Sequence, residues 1–171
     1  MLGRLSFIHA MLRRLNTAIT LLVKWVVVVL ALGMAFCILF QIIMRYVFNN
    51  PPVWTEELAL LLFSWSMLLM LAVGVREAFH VRMDLFLAWL PKTGSQVIER
   101  IIDFAIAAFG GFLAWSGAEY MEMMAGSTSA AIAYPINVLY AVAPVCGVMV
   151  FLFSLELLLD PKRFERQEDA S

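Results

Sequence analysis

Residues 25–44, WVVVVLALGMAFCILFQIIM, form a run of twenty residues without a charged side chain. An α-helix rises about 1.5 Å per residue, so this run makes a helix of about 30 Å, the thickness of the hydrocarbon core of a bilayer. The run is about twice as long as the apolar region of a typical signal peptide, and no small-residue cleavage site follows it. The sequence therefore predicts that this run is a membrane span and is not cleaved off as a signal peptide.

The composition of the whole chain agrees with a membrane protein. Of the 171 residues, 63% are apolar and 15% are charged, whereas soluble domains have roughly 45–50% and about 25%. So few charges cannot cover a water-exposed surface, and so many apolar residues exclude a disordered chain. The formal net charge of -1 argues against nucleic acid as a partner, because nucleic-acid-binding domains carry a basic face.

Three further apolar segments are candidates for spans. The second is uncharged over residues 58–75, and the third reaches spanning length only if residues 101–103 join its helix. Turn residues around Gly126 and Pro135 separate the fourth from the third. We predict an all-α membrane protein with one membrane domain, residues 1–171, comprising four transmembrane helices at about residues 22–44, 56–75, 100–119 and 136–159 and a tail at residues 160–171.

The twelve Lys and Arg residues are distributed unevenly along this chain. Eleven lie before the uncharged run of the first span, between the uncharged runs of the second and third spans, or after that of the fourth, and the twelfth is Arg45. Loops near the ends of spans carry more positive charge on the cytoplasmic side. The distribution supports the count of four spans and predicts that both termini are cytoplasmic.

The segment before the first span, residues 1–20, has an amphipathic pattern. Apolar residues recur at spacings of three and four between residues 2 and 19, and three arginines fall between them. This pattern predicts an N-terminal amphipathic helix that lies in the cytoplasmic interface, in contact with membrane lipids. The alternative is a short helical extension of the first span.

Side chains that hold cofactors or perform catalysis are scarce. The two histidines, His9 and His80, lie outside the spans, and the sequence has neither a P-loop nor an HExxH motif. Cys37 and Cys146 lie in apolar runs without a metal-ligand spacing. We therefore expect no metal site, no cofactor and no enzymatic activity.

Ionisable residues within the spans are also few. Asp103 and Glu156 are expected near the cytoplasmic ends of their helices, within reach of water or lipid headgroups. A proton-coupled pump would be expected to keep a carboxylate near the middle of the membrane. The interior therefore offers no ionisable group suited to driving transport by itself.

Small residues line one face of the third span. They recur at spacings of three and four, which places them on one side of a helix, and such a face allows another helix to approach closely in lipid. We expect close packing there, within the subunit or against a partner. The candidates are Ala107, Gly110, Gly111, Ala114 and Ala118.

Polar and aromatic residues gather in the two loops that flank the second span. The second of these loops is predicted to form a polar turn and a short amphipathic segment that ends at Pro91. The candidates for a partner interface or a structural role are Arg45, Trp54, Glu56 and Glu57 in the first loop, and Arg76, His80, Arg82 and Asp84 in the second.

The first loop leads into the second span through a charged helix start. Glu56 and Glu57 are expected in the first helical turn, where the helix dipole favours anions, and Thr55 is a candidate N-cap. Arg45 can pair with either glutamate across the loop. The alternative is an ordinary interfacial belt of aromatic and charged residues.

Short motifs follow one another around the second span. They are RYVFN at residues 45–49, WTEEL at 54–58, Trp65, GVR at 74–76, HVRMD at 80–84 and LP at 90–91. Their order and spacing within a four-span chain resemble the small membrane subunit of tripartite ATP-independent periplasmic (TRAP) transporters. The resemblance covers roughly residues 25–160 and is sharp over residues 45–91, whereas the last two spans match by hydropathy alone.

This resemblance implies a supporting role in transport. Such transporters combine a periplasmic solute-binding protein, a large membrane subunit and a small one, and they use a sodium gradient to import organic acids. The large subunit carries the substrate and sodium sites and moves like an elevator, and the small subunit is a scaffold packed against it. The resemblance thus implies a bacterial inner-membrane protein whose partners are the large subunit, the binding protein and membrane lipids.

A rival function remains open at this point. The chain can also be a self-sufficient four-helix transporter or channel, such as a homodimeric one. That function would require activity without other subunits and a polar residue near the middle of the membrane.

Overall fold

The computed structural model describes residues 2–77 and 92–159. The described residues form helices joined by turns, and four helical segments are long and apolar enough to cross a membrane. The predicted all-helical architecture with four spans is thereby confirmed, and the cytoplasmic location of the termini stays a prediction. The helices are α1 (Leu2–Tyr46), α2 (Trp54–Arg76), α3 (Lys92–Met123), α4 (Asn137–Tyr140) and α5 (Val142–Leu159).

Helix α1 is much longer than a membrane span. Its 45 residues correspond to about 68 Å at 1.5 Å per residue, more than twice the thickness of the hydrocarbon core. The N-terminal segment is helical as predicted, but it continues into the first span without a break, as in the alternative interpretation. Residues 4–32 contain neither Gly nor Pro, so nothing in the local sequence interrupts the helix.

The fourth span is divided into α4 and α5 at Ala141. Pro144 has no N–H to donate to the carbonyl of Tyr140, and its ring crowds that carbonyl. The regular hydrogen bonding resumes where the N–H of Val145 donates to the carbonyl of Ala141 at 3.3 Å. Together the two helices provide a 22-residue candidate span, Asn137–Leu158.

The long helices pack side by side in a row rather than around one central core. Helix α1 packs on α2, α2 packs on α5, and α5 packs on α3, with a smaller contact between α1 and α5. The buried apolar residues therefore concentrate where α2 and α5 meet, with Val73 and Phe153 fully buried. The two edge helices, α1 and α3, leave most of their apolar side chains exposed.

Helices α3 and α5 approach each other closely through glycines. A Cβ atom added at Gly110 would lie 2.8 Å from the backbone nitrogen of Phe151, and one added at Gly147 would lie 2.8 Å from the Cα atom of Ala114. Real Cβ atoms do not come so near, so larger side chains at these glycines would push the helices apart. The backbones therefore touch where side chains are absent.

The structure places the small-residue candidates of α3 at different depths in this contact. Ala107 and Gly110 are buried, and Ala114 faces Gly147. Gly111 lies toward the side, because a Cβ atom there would be 3.9 Å from the Phe151 ring, and Ala118 is half-buried.

Candidate functional site: two polar clusters

Glu57 joins the start of α2 to the loop between α3 and α4. Its carboxylate accepts hydrogen bonds from the hydroxyl of Ser129 and from the backbone N–H groups of Ala131, at 2.9 Å, and Ile132, at 3.2 Å. Hydrogen bonds to an ionised carboxylate are stronger than those between neutral groups. We call Glu57, Ser129, Ala131 and Ile132 the Glu57 cluster.

The loop that Glu57 holds has a defined turn geometry. The N–H of Ser129 donates to the carbonyl of Tyr134 at 2.9 Å, and Thr128 and Pro135 form an isolated antiparallel bridge. Ala133 adopts φ of 59°, in the left-handed region that lets the chain reverse direction. The loop therefore returns on itself with its tip against Glu57.

Tyr134 is affected electrostatically by this arrangement. Burial raises the pKa of its hydroxyl above the ordinary value, and the negative charge of Glu57 raises the pKa further. Tyr134 therefore stays neutral beside the carboxylate at physiological pH.

Arg45 contacts one of the two glutamates. Its guanidinium lies 3.8 Å from the carboxylate of Glu56, which also accepts a hydrogen bond from the side-chain amide of Gln41 at 2.6 Å. The sequence leaves open which of the two glutamates Arg45 pairs with, and the structure places it beside Glu56. Residues 56 and 57 point about 100° apart on a helix, so one arginine at the end of α1 reaches only one of them.

Thr55 is not the N-cap that the sequence predicts. Val53 already has helical backbone angles and no side chain caps this end, because the turn at Pro51 and Pro52 leads into the helix early. Thr55 is fully buried and its hydroxyl donates back to the carbonyl of Pro52 at 2.7 Å.

Trp54 stands beside a shallow cavity near the Glu57 cluster. Its ring lies 5.9 Å from the ring of Phe40, centroid to centroid. The cavity has a volume of about 390 Å³ and is lined by Val53, Trp54, Ala130 and Ala131. This end of the molecule thus combines a held loop with an apolar depression.

A second polar cluster lies at the opposite end of α2, around Arg76. Its guanidinium donates to the carboxylate of Glu156 at 3.3 Å and to the hydroxyls of Thr20 at 3.0 Å and Thr17 at 2.7 Å. The side-chain amide of Asn16 donates to the same carboxylate oxygen of Glu156 at 2.7 Å. We call these five residues the Arg76 cluster; they come from α1, α2 and α5.

Glu156 and Asp103 are more enclosed than the sequence predicts. The side chain of Glu156 is 12% exposed and Asp103 is 2% exposed, so the expectation that both reach water or headgroups is wrong. The long α1 covers Glu156 from one side, and Asp103 lies one turn before the buried Ala107 on the face of α3 that packs on α5.

Comparison with known proteins relates this architecture to a family. Residues 34–163 match the family model described as tripartite ATP-independent periplasmic transporters, DctQ component. The chain belongs to this family. The family resemblance of the motifs around α2 is thereby confirmed, and the chain is a multi-pass membrane component of a TRAP transporter.

Individual relatives of this DctQ-family chain differ in length. It is 27% identical over 122 residues to the isethionate TRAP transporter permease protein DctMQ of Oleidesulfovibrio alaskensis, covering 67% of the chain and 19% of that protein. It is 25% identical over 120 residues to the sialic acid TRAP transporter small permease protein SiaQ of Vibrio cholerae, covering 70% and 69%. A 52-residue stretch is 42% identical to the permease protein SiaT of Haemophilus influenzae, covering 30% and 8%.

The second loop of the DctQ-family chain holds three further candidate residues. His80, Arg82, Asp84 and the amphipathic segment before Pro91 lie outside the described residues. Within the described ranges, no group of three or more His, Cys, Asp or Glu side chains is arranged to hold a metal ion.

The sequence-based candidates include one residue of each cluster in the DctQ-family chain, Glu57 and Arg76. Ser129 and the α1 residues Asn16, Thr17 and Thr20 are not among the candidates, and Glu156 is expected at water or headgroups rather than in a cluster. The sequence contains a pattern that indicates the α1 residues, because residues 16, 17 and 20 are polar and lie on one helix face. Their partners are more than 50 residues away in sequence, beyond the range of a local pattern.

Proposed function

We propose that this chain is a non-catalytic scaffold subunit of a sodium-coupled secondary transporter in the bacterial inner membrane. In this proposal, a periplasmic binding protein delivers an organic acid, and a large elevator-type membrane subunit carries it across. The chain holds the large subunit in place.

The exposed apolar stripe of α1 is the observation that carries this proposal. Trp25, Val29, Leu32 and Phe36 recur at spacings of three and four, and each is about two thirds exposed, at 65–67%. Only 6% of the most apolar window of α1 is buried inside the chain. A long row of large side chains on an edge helix offers extensive dispersion contacts to another membrane helix. We call these four residues the α1 stripe.

The lengths of the relatives support a large partner. The chain aligns with 19% of the isethionate permease protein. Most of that permease therefore lies outside the aligned region. We propose that a separate large membrane subunit supplies the corresponding part here and packs along the α1 stripe.

The Glu57 cluster provides the contact for the binding protein in this proposal. Under the predicted orientation it lies on the periplasmic side, where Glu57 holds the tip of the α3–α4 loop beside Trp54. On the cytoplasmic side, Arg76, His80, Arg82 and Asp84 order the turn after α2 or meet the large subunit there.

Co-purification and uptake test the scaffold function. The tagged chain is extracted in mild detergent from cells that also express the neighbouring large subunit, and uptake of the acid is measured with and without the chain. We expect the large subunit to co-purify and uptake to be lost on deletion. A chain that comes out alone, with uptake retained in the deletion strain, contradicts the proposal. Activity of the purified chain reconstituted alone favours a self-sufficient transporter or channel.

A further inference from the structure

Helix α1 packs along α2, but four of its described side chains are buried, and two of these four are polar. Among its described side chains, Val23 and Cys37 are the buried apolar residues, and Asn16 and Thr20 are the buried polar ones. Apolar side chains gain little from leaving lipid for a protein contact, because lipid tails are equally apolar. Apolar packing therefore constrains the position of α1 along the axes of α2 and α5 only weakly.

Asn16 links α1 directly to α5. The residue is 0% exposed, and its side-chain amide donates to the carboxylate of Glu156 at 2.7 Å and to the backbone carbonyl of Leu152 at 3.3 Å. Arg76 donates to Glu156 from the other side and to two α1 hydroxyls, and its guanidinium lies 5.8 Å from the centre of the Phe153 ring. The Arg76 cluster thus joins three helices through directional contacts.

We propose that the Arg76 cluster, with Asn16 as its α1 member, sets the register of α1 against α2 and α5. A slip of one residue turns Asn16 by about 100° and moves it by about 1.5 Å, which removes its amide from Glu156. The partly buried Arg76–Glu156 pair would then lose the Asn16 donor and the threonine acceptors that complete it, a costly change where water has little access. The polar cluster therefore disfavours a shifted register of α1, whereas the apolar contacts of α1 distinguish the two registers only weakly.

This role is independent of what the transporter carries and of which partner α1 meets. The family match begins at residue 34, so Asn16, Thr17 and Thr20 lie before the matched region, whereas Arg76 and Glu156 lie within it. The α1 members of the cluster are thus a feature of this chain that the family match does not supply.

Distance measurement between two spin labels tests the register directly. In a background with Cys37→Ala and Cys146→Ala, labels are attached at Leu15→Cys and Ile101→Cys, which are 51% and 61% exposed, and the full chain is studied in lipid nanodiscs. In this labelled parent, without a further substitution, we expect a single narrow distribution of distances between the two labels. Asn16→Leu should shift or split that distance, and so should the double variant Arg76→Gln with Glu156→Gln.

Lys24→Gln is the matched control. Lys24 pairs with Glu77, directly after the end of α2, and so also joins α1 to α2, but the two side chains are 43% and 31% exposed. Loss of this exposed pair should therefore leave the distance unchanged. An unchanged distance in both Asn16→Leu and the Arg76/Glu156 double variant would overturn the proposal, as would an equal change in Lys24→Gln. If Asn16→Leu does not accumulate in membranes, the Arg76/Glu156 double variant alone tests the proposal. A shifted or split distance supports the proposal, and an unchanged distance overturns it.

Discussion

At the scale of single residues, Glu56 and Glu57 are neighbours with different surroundings. Glu57 accepts hydrogen bonds from one hydroxyl and two backbone N–H groups of the α3–α4 loop. Glu56 is 63% exposed and accepts one hydrogen bond, from Gln41. Of the two carboxylates, Glu57 is therefore the one that organises a remote segment.

Replacing Glu57 should release this loop. In Glu57→Gln the neutral amide accepts more weakly than the carboxylate, and its NH₂ group cannot accept at all. We expect faster protease cleavage between residues 126 and 136 and reduced uptake or complex assembly. Limited proteolysis of the purified chain, followed by mass spectrometry, measures the first effect, and whole-cell uptake measures the second.

Two exposed neighbours provide the controls for Glu57→Gln. The Arg45–Glu56 ion pair spans 3.8 Å with both side chains more than half exposed, and such pairs contribute at most about 1 kcal/mol. Arg45→Ala and Glu56→Gln should therefore leave the cleavage rate of the loop nearly unchanged. Equal loop cleavage in all three variants and the parent would show that Glu57 does not hold the loop.

At the scale of helices, the α3–α5 contact depends on glycines from both partners. The stripe on α3 is visible as five small residues at helical spacing, but on α5 the corresponding pattern is only the pair Ala143 and Gly147, too short to mark an interface by itself. Its importance appears only when Ala114 is placed against it. Both helices contribute residues to the interface between them. The pattern on one helix therefore identifies only part of the contact.

A methyl group at Gly147 should separate these helices. Because the nearest backbone atoms of α3 would lie within 2.8 Å of the new Cβ, we expect Gly147→Ala to destabilise the chain by about 1–3 kcal/mol. Thermal unfolding of the purified chain in detergent, followed by circular dichroism, measures the change.

Gly111→Ala is the matched control for this contact. Its Cβ would meet the Phe151 ring at 3.9 Å, an ordinary van der Waals distance, and alanine favours a helix more than glycine. We expect an unchanged or slightly higher unfolding temperature. A similar loss of stability in both variants would contradict the prediction that the close approach of α3 at Gly147 governs the result.

At the scale of the whole molecule, the row of helices leaves two apolar edges. The most apolar window of α1 is 6% buried and that of α3 is 22% buried, so α1 is the edge that depends more on contacts outside the chain. The double variant Leu32→Ala with Phe36→Ala removes the C-terminal half of the α1 stripe. Both side chains are about two thirds exposed, so the chain itself should stay folded.

We expect this double variant to lose the large subunit in co-purification while keeping its own unfolding temperature. The matched control on the other edge is Phe112→Ala with Trp115→Ala on α3, whose side chains are 61% and 70% exposed; it should retain the large subunit. Quantitative blotting of the purified fractions measures both. Retention of the large subunit by the α1 variant would rule out the α1 stripe as the docking surface.

The sequence by itself determined the all-helical class, the four spans and the family, because hydropathy, run length and short motifs are local properties of the chain. It also predicted a helical N-terminal segment, but the extent of α1 as one helix emerged only from the structure.

Only the tertiary structure decided which polar groups meet. Arg45 contacts Glu56 and not Glu57, Glu156 is enclosed by α1, and Asn16 completes a partly buried ion pair across 140 residues of sequence. These contacts depend on the rotation and register of helices packed side by side. In lipid, hydrophobic burial alone constrains those two variables weakly, so directional polar contacts between distant residues decide them.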